Sequence, residues 1–561
     1  MTNPESDSST HRMREDLRKT PIDGHVLKKL AGASLDWLRT NQQTVNALNV
    51  FPVPDGDTGT NMVLTLQAAI DEIANFNERN AGKMAHAIAH GSLMGARGNS
   101  GVILSQLWRG FARALDHLET IDAASLARAF SMAKDTAYKG VVRPVEGTIL
   151  TVAKDLAAAA EEASQETDDP LEILKRALEE ADRSVTRTPD LLPVLKEAGV
   201  VDSGGKGLFF ILEGMVRYID GLPLDVSISS VQPLSAMKLV ETMETVEPGQ
   251  DYEVIVDFRP KEPIILEHFY NDLEKMGTSI QVGEGDGIYR LHIHVPTENR
   301  YEPIEYSMSL GTITKVSIEN LIDQMESLEQ DRIEQIDFSP VEPGQIAVVA
   351  VSPGLGIAKV FASLGVNAIV EGGQSMNPST QEILQAFENL PTDKVIILPN
   401  NKNVILSAEA TSHLTVKQLA VVPTRTVPQG LSAMLRLLPD GDFGTVLEDM
   451  KAAIHDVLTG EITTATRTVE IDGVGVNEGQ IIALLDGKLV LASSSIQEAC
   501  LSLLDKAGAE DHELVTLFYG DSLSDLQVNE VADAIRSAFP NLEVEVQNGG
   551  QPHYHFIMSI E

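Results

Sequence analysis

The hydrophobic periodicity of this chain changes once along its length, and the change separates regions that must fold differently. Between about residues 24 and 218, apolar residues recur at helical spacing and no segment alternates strictly between apolar and polar residues. In the segment 27–48 the recurring residues are Leu27, Leu30, Leu35, Leu38 and Val45. Clusters of glycine, aspartate, asparagine and proline interrupt the pattern. The pattern therefore predicts an all-α domain over residues 24–218.

Strand patterns appear only after about residue 225. Residues 252–258 and 289–295 alternate apolar and polar side chains, and a helix-like segment lies between them. We therefore predict a small α+β module over residues 226–335. From about residue 344 strand-like and helix-like segments take turns, which predicts an α/β domain over residues 340–561. The βαβαβ order of its first segments predicts a parallel sheet, and the last part has one more such unit and ends in a strand. The polar residues 1–23 are expected to form a disordered tail.

Charge and cysteine content exclude several classes of function. The chain has 561 residues, with 43 lysines and arginines against 82 aspartates and glutamates, a formal net charge of -39. Such a chain has no long-range attraction for nucleic acid or anionic lipid. Its single cysteine, Cys500, excludes an intramolecular disulfide and a cysteine-rich metal site. With no signal-like start and no apolar segment long enough to cross a bilayer, we expect a cytoplasmic protein.

The segment 48–62, LNVFPVPDGDTGTNM, carries the most specific chemistry. Asp55 and Asp57 are separated only by Gly56, so a tight loop can direct both carboxylates into one space. Two such carboxylates repel each other unless a cation lies between them, and Mg²⁺ prefers oxygen ligands of this kind. Further oxygen ligands or amide donors are available at Asn49, Thr60 and Asn61. The alternative is a solvated Asp–Gly turn, which the stiff prolines before it and the TGTN after it disfavour.

Three further loops between predicted helices have the composition of phosphate-binding loops. The segment 95–101, GARGNSG, combines glycines with Arg97, Asn99 and Ser100 at a helix start, where free backbone N–H groups can bind phosphate. In the segment 143–148, Thr148 is a candidate N-cap. The segment 200–207 offers Asp202 among several glycines. For the loop at 95–101 the alternative is a plain helix–helix turn, and each of the other two is weak evidence alone.

Longer motifs give a resemblance to a known family. Residues 46–62 and 92–106 resemble the DhaL-type domain of dihydroxyacetone kinases. The whole chain resembles the large ATP-binding subunit of bacterial fatty acid kinase, the FakA family. This second resemblance continues at residues 144–152, 195–208, 371–380, 397–404, 422–430 and 549–561.

The resemblance implies a barrel of antiparallel helices with ATP at one end and Mg²⁺ held by Asp55 and Asp57. Dihydroxyacetone kinases carry a third aspartate five residues before this pair, where the present chain has Val50. Asn49, one residue earlier, can take that role as a neutral ligand, which leaves the number of Mg²⁺ ions open. The remaining residues that match family positions near the nucleotide are Thr60, Asn61, Asn99, Ser100, Gly101, Thr148 and Asp202.

The resemblance also implies a reaction and a partner. In fatty acid kinases a separate DegV-like lipid-carrier protein presents the fatty acid carboxylate, and the product is an acyl phosphate. A carboxylate is already a nucleophile at neutral pH, so the site needs positioning and charge neutralisation more than a general base. The region 340–561 resembles the carrier's own fold, which implies a docking or regulatory domain. Two alternatives remain open, a kinase of glycerone or another small hydroxylated substrate and a non-catalytic nucleotide-sensing scaffold. Homodimer formation is also left open.

One metal site is hypothesised in the middle module. His292 and His294 alternate on a predicted strand, so their imidazoles face the same side. Where the family often has a cysteine, this chain has Glu253, and the resemblance implies a zinc site built from that position and the two histidines. Glutamate changes the softness of the ligand but still permits zinc. The alternative is a pair of half-exposed strand histidines.

Overall fold

The computed structural model describes most of the chain apart from its amino terminus, two segments flanking the middle module and several short gaps. The described residues are 21–49, 56–141, 143–224, 232–233, 252–261, 264, 266–273, 275–285, 288–320, 336, 338–373, 377–465, 468–471 and 474–561. They divide into two compact units, one drawn from residues 1–225 and 337–561 and the other from residues 226–336. None of the described helices is long and apolar enough to cross a membrane.

A disordered tail is expected over residues 1–23. Residues 1–20 of this segment lie outside the described residues. Its last residues contradict the expectation. Ile22 is buried and forms an isolated antiparallel β-bridge with Ile121. Asp23 is the N-cap of the first helix, and its carboxylate accepts a hydrogen bond of 3.0 Å from the backbone N–H of Val26. These residues are therefore part of the helical fold.

The described part of residues 21–224 is helical, which confirms the predicted all-α fold. The five apolar residues that recur at helical spacing in the segment 27–48 are all buried. The helices are α1 (Gly24–Thr40), α2 (Gln42–Leu48), α3 (Thr58–Ile73), α4 (Ala81–Met94), α5 (Gly98–Ala114), α6 (Ala123–Lys139), α7 (Ile149–Ala163), α8 (Pro170–Leu191), α9 (Pro193–Ala198) and α10 (Ser203–Asp220).

Small residues bring these helices close together. A Cβ added at Gly91 of α4 would lie 2.8 Å from the Cα of Ala69 in α3. One added at Gly110 of α5 would lie 2.6 Å from the Cα of Ala133 in α6. These helix backbones therefore approach each other closely, and the space between them is filled.

The middle unit is an α+β module, as predicted. Its five-stranded sheet has the order β1-β3-β4-β2-β5, and β2 pairs antiparallel with both β4 and β5. The register of β2 against β4 places Glu253 opposite His294 and Ile255 opposite His292. The elements are β1 (Gln232–Pro233), β2 (Tyr252–Pro260), α11 (Leu266–Leu273), β3 (Thr278–Gly285), β4 (Ile288–Val295), α12 (Glu302–Leu310) and β5 (Gly311–Asn320).

The first part of the C-terminal segment confirms the predicted parallel sheet. Four strands in the order β7-β6-β8-β9 are all parallel, and β6 is buried along its whole length. The elements are β6 (Ile346–Ser352), α13 (Leu355–Ser363), β7 (Ala368–Glu371), α14 (Thr380–Glu388), β8 (Lys394–Leu398), α15 (Ile405–Thr411), β9 (Gln418–Val421), α16 (Val427–Met434) and α17 (Phe443–Ala453).

The second part forms a mixed sheet with the order β14-β13-β10-β17-β15-β16. Its β15 and β16 are parallel and joined through α19, whereas its other pairs are antiparallel. The elements are β10 (Leu458–Thr464), β11 (Val469–Ile471), β12 (Val474–Val476), β13 (Ile481–Leu485), β14 (Lys488–Ser493), α18 (Ile496–Lys506), β15 (Leu514–Tyr519), α19 (Asp525–Ala538), β16 (Glu543–Asn548) and β17 (Tyr554–Ile560).

Candidate functional site

Four helices of the described part, α3, α5, α7 and α10, begin close together. The Ser203 hydroxyl at the start of α10 lies 3.3 Å from the Thr58 hydroxyl at the start of α3. A Cβ on Gly98 would lie 2.7 Å from Nδ2 of Asn61, so α5 begins against α3. A Cβ added at Gly204, in the first turn of α10, would lie 3.3 Å from the Cβ of Ile149, the first residue of α7. Helix amino ends carry free N–H groups and partial positive charge, so their convergence favours binding of an anion such as phosphate.

Asp57 lies at the start of α3, within this cluster. It is the N-cap residue but makes no side-chain capping bond, and only 7% of it is exposed. Its Oδ2 accepts a hydrogen bond of 2.6 Å from Nδ2 of Asn377 in the C-terminal segment. Gly56, just before it, has a φ of +65°, the left-handed conformation that the DGD sequence suggested. Asp55 lies outside the described residues.

Of the three residues predicted to assist Asp57, Thr60 and Asn61 lie in the first turn of α3 and Asn49 directly follows α2. Asn49 is buried directly after α2, and Asn61 is buried in the first turn of α3. The Thr60 hydroxyl accepts hydrogen bonds from Gln42 at 2.9 Å and Asn46 at 3.1 Å, so only its proton is left to reach a ligand. The structure thus places Thr60 at the contact between α2 and α3.

Sequence reasoning missed Asn46. Its Oδ1 accepts the backbone N–H groups of Gly59 at 2.7 Å and Thr60 at 3.1 Å, which satisfies two of the free donors at the start of α3. Asn46 lies three residues before Asn49 in the helix QQTVNAL, which has several other polar side chains, so its sequence context does not distinguish it. Asn46 therefore fixes α3 relative to α2 and limits which N–H groups remain for an anion.

The loop at residues 95–101 faces the C-terminal segment as well as α3. Arg97 donates from Nη1 to the Asn377 carbonyl at 3.0 Å, and its Nη2 lies 3.1 Å from Glu382 Oε1. Asn99 donates to Asn403 Oδ1 at 3.2 Å. Ser100 is half-buried in the first turn of α5. Gly101 packs so closely on α3 that an added Cβ would collide with the Thr65 hydroxyl, which gives this glycine a packing role.

Thr148 and Asp202 both cap helices of the cluster. The predicted N-cap at Thr148 is confirmed, with its hydroxyl accepting from the Leu150 N–H at 3.4 Å. Asp202 caps α10 through a hydrogen bond of 2.6 Å from the Gly205 N–H. Burial raises the pKa of Asp202 to about 6. Both side chains hold the amino ends of their helices in place.

The donor set around Asp57 suits a hard divalent cation. It combines the buried Asp57 carboxylate with the buried amide of Asn61 in the first turn of the same helix, at a point where helix amino ends attract phosphate. Oxygen donors without thiolates match Mg²⁺ better than a soft transition metal. A buried oxygen, Oδ1 of Asn377, also has no hydrogen-bond partner among the described residues. The residues present therefore fit Mg²⁺ together with a nucleotide.

A second cluster lies in the middle unit. The metal-binding atoms of Glu253, His292 and His294 all lie within 4.8 Å of one another. His292 Nε2 is 2.8 Å from Glu253 Oε1, and His294 is buried. The hydrogen bond from His292 lowers the pKa of Glu253. The one-sided placement predicted for the two histidines is confirmed, since their rings are 5.1 Å apart.

Comparison with protein families assigns most of the length of the chain. Residues 52–217 match the DAK2 domain, residues 247–328 the middle domain of FakA-like fatty acid kinase proteins, and residues 347–561 the C-terminal domain of the same proteins. Protein YloV of Bacillus subtilis (strain 168) is 38% identical over 551 residues, covering 96% of this chain and 99% of that protein. An uncharacterised protein of Staphylococcus haemolyticus is 37% identical over 556 residues, with the same coverage of each chain.

Similarity to solved structures is weaker. The dihydroxyacetone kinase of C. freundii is 13% identical and gives a TM-score of 0.32 over 42% of this chain and 55% of that one. A DegV family protein of Corynebacterium glutamicum, Cg2579, is 14% identical and gives a TM-score of 0.30 over 39% of this chain and 96% of that one. Scores this low support no functional argument, and the sequence relatives are the informative comparison.

Proposed function

Because this chain belongs to the family of FakA-like fatty acid kinase proteins, we propose that it is the ATP-binding subunit of a two-protein kinase. The subunit transfers the γ-phosphoryl group of ATP to the carboxylate of a fatty acid held by a separate DegV-like carrier protein. The product is an acyl phosphate. The observation that carries the proposal is the convergence of four helix amino ends on the buried Asp57, inside the segment that matches the DAK2 domain.

We assign the binding of ATP and Mg²⁺ to this cluster. Asp55 and Asp57 hold Mg²⁺, which supplies neutralisation of the phosphate charge. Helix amino ends face the phosphates and stabilise negative charge there. The side chains and backbone proposed to surround the nucleotide are those of Asn49, Thr60, Asn61, Asn99, Ser100, Gly101, Thr148 and Asp202.

The acceptor is proposed to be a carboxylate because the groups of the cluster are suited to aligning the phosphates and stabilising their charge. A carboxylate is already deprotonated at neutral pH, so transfer needs alignment and charge stabilisation more than a base. The pKa of Asp202 is raised to about 6, but its carboxylate already accepts the N-cap hydrogen bond of α10 instead of facing an acceptor as a base. A sugar-like hydroxyl acceptor would gain more from a base than a carboxylate does.

Close helix packing favours a separate carrier for the acyl chain. A Cβ on Gly214 of α10 would lie 2.9 Å from Ser34 Cα in α1, and Gly91 and Gly110 make similarly close approaches. The residues between these helices are small or fully buried, among them Ala31, Leu38 and Ala85. Packing of this kind leaves little room for a long apolar chain between these helix pairs.

We expect ATP to bind this protein only with a divalent cation. The reason is that buried carboxylates repel phosphates unless a cation lies between them. The measurement is calorimetric titration of the full-length chain with ATP, once in excess Mg²⁺ and once in EDTA. Binding in Mg²⁺ and its loss in EDTA would support the proposal. Equal affinity in both conditions would contradict the assignment of Asp55 and Asp57 as metal ligands.

We also propose that Glu253, His292 and His294 bind a transition metal, with zinc as the first candidate. Support comes from their ligand atoms, which lie within 4.8 Å of one another, and from two nitrogens and one carboxylate oxygen being ordinary zinc donors. We expect metal analysis of protein purified without a His-tag to give about one zinc per chain, and His294→Ala to lose it. His268→Ala, at an exposed histidine of the same unit, is the control. Metal-free wild-type protein would favour the alternative of two strand histidines without a ligand.

A further inference from the structure

The C-terminal segment contacts the candidate site directly. Between α4 and α5, the Ala96 carbonyl accepts a hydrogen bond of 3.2 Å from the backbone N–H of Thr380 at the start of α14. Arg97 bonds to the Asn377 carbonyl at 3.0 Å and to Glu382 at 3.1 Å. All of these residues belong to one compact unit. The loop that starts α5 is therefore held by residues about 280 positions away in the sequence.

Asn377 is the residue of the C-terminal segment that reaches the predicted metal ligand. It is 2% exposed, and its Nδ2 donates to Asp57 Oδ2 at 2.6 Å. The opposite orientation of this amide would set two oxygens against each other with no proton between them, so the donor orientation is required. The bond involves a charged acceptor in a buried place, where such bonds are strongest.

The other atom of this amide is unsatisfied. Asn377 Oδ1 is buried and has no hydrogen-bond partner among the described residues. Two further hydroxyls are also buried without a partner in the described part of the chain, that of Thr380, three residues after Asn377, and that of Ser407 on α15, a helix that packs on α5. Native proteins rarely leave such groups unpaired without a reason such as a bound molecule. The unsatisfied oxygen of Asn377 lies on the same amide that holds Asp57.

We propose that Asn377 is a positioning residue of the divalent-cation and nucleotide site, contributed by the C-terminal segment; the inference rests on the proposed function. Its Nδ2 orients the Asp57 carboxylate, and its Oδ1 accepts a hydrogen bond from a donor that enters with the metal and nucleotide. Carboxylates that bind metals are usually held by such a neighbour, and loss of the neighbour typically lowers metal affinity about 10- to 100-fold.

The test is a Mg²⁺ titration of nucleotide binding to the full-length chain, followed with a fluorescent ATP analogue at a fixed concentration. We expect Asn377→Ala to raise the Mg²⁺ midpoint about 10- to 100-fold. Asn377→Leu keeps the branched shape and the number of side-chain heavy atoms but removes the amide, so it is expected to give the same shift if the alanine variant folds poorly. Urea unfolding of each variant checks that it is folded.

Asn403→Ala is the matched control. It removes another asparagine contact across the same junction, the bond of 3.2 Å from Asn99, but does not remove the bond to Asp57. Its Mg²⁺ midpoint should stay close to that of the wild type. An unchanged or lower midpoint in both Asn377 variants would overturn the inference, as would an equal increase in Asn403→Ala. A wild-type chain that binds the nucleotide equally well without Mg²⁺ would instead show that the proposed function itself is wrong.

Discussion

Replacement of Asp57 by alanine is expected to lower the rate of phosphoryl transfer at least about 10²- to 10³-fold. Removal of one preorganised charge-stabilising group typically costs this much, and loss of a metal ion can cost more. The expectation follows from the position of Asp57, which is buried where four helix amino ends meet. The measurement is the rate at which labelled γ-phosphate is transferred to the carrier-held fatty acid at saturating ATP and Mg²⁺. Circular dichroism checks that the variant is folded.

Asp122→Ala is the control for this experiment. Asp122 is also an aspartate at the amino end of a helix, and it forms a capping box with Ser125 on α6. Its loss should cost about 1 kcal/mol of unfolding free energy but should leave the transfer rate close to the wild-type rate. Near-normal transfer in both Asp57→Ala and Asp55→Ala would refute the claim that this loop holds Mg²⁺.

Free fatty acid is expected to be a poor substrate for the chain alone, whereas a DegV-like carrier loaded with fatty acid should restore activity. Burial of each CH₂ group of a long acyl chain is favourable by about 0.8 kcal/mol of transfer free energy. The acyl chain therefore stays in whichever protein provides an apolar tunnel. Close helix contacts at Gly91, Gly110 and Gly214 disfavour such a tunnel between these helices. A docked carrier must then place the carboxylate about 3 to 3.5 Å from the γ-phosphorus.

The measurement is the transfer rate at increasing carrier concentration with fixed ATP. We expect saturation with respect to the loaded carrier and almost no rate with the empty carrier or with fatty acid alone. Rapid phosphorylation of free fatty acid by the chain alone would contradict the carrier requirement. Rapid phosphorylation of glycerone would instead support the small-substrate kinase alternative.

Local features of the fold were predictable because neighbouring residues determine them. Helical spacing located α1 and its buried leucines, and the alternation of strand-like and helix-like segments after residue 344 predicted the parallel sheet that contains β6. Gly56 and Thr148 took the conformation and the capping role that their sequence contexts suggested. In each case the physical cause lies within a few residues of the feature.

The contacts of the candidate site with the C-terminal segment were not predictable in the same way. Asn377 and Asp57 are 320 residues apart, and no periodicity or turn signal relates them. The mixed six-stranded sheet was also incompletely predicted, because strands as short as β13 become strands only through their partners. Gly101 shows a third limit, since a glycine that lets phosphate approach and one that lets a helix approach have the same sequence signature.

The most direct test of the central claim is chemical identification of the product. The full-length chain is incubated with ATP, Mg²⁺ and a fatty-acid-loaded carrier, and hydroxylamine is added to trap any acyl phosphate as an acyl hydroxamate. We expect acyl hydroxamate in proportion to the ADP formed, and none when Asp57→Ala replaces the wild type. ADP formation without hydroxamate, or transfer of phosphate to a hydroxyl compound to give a stable ester, would contradict the account.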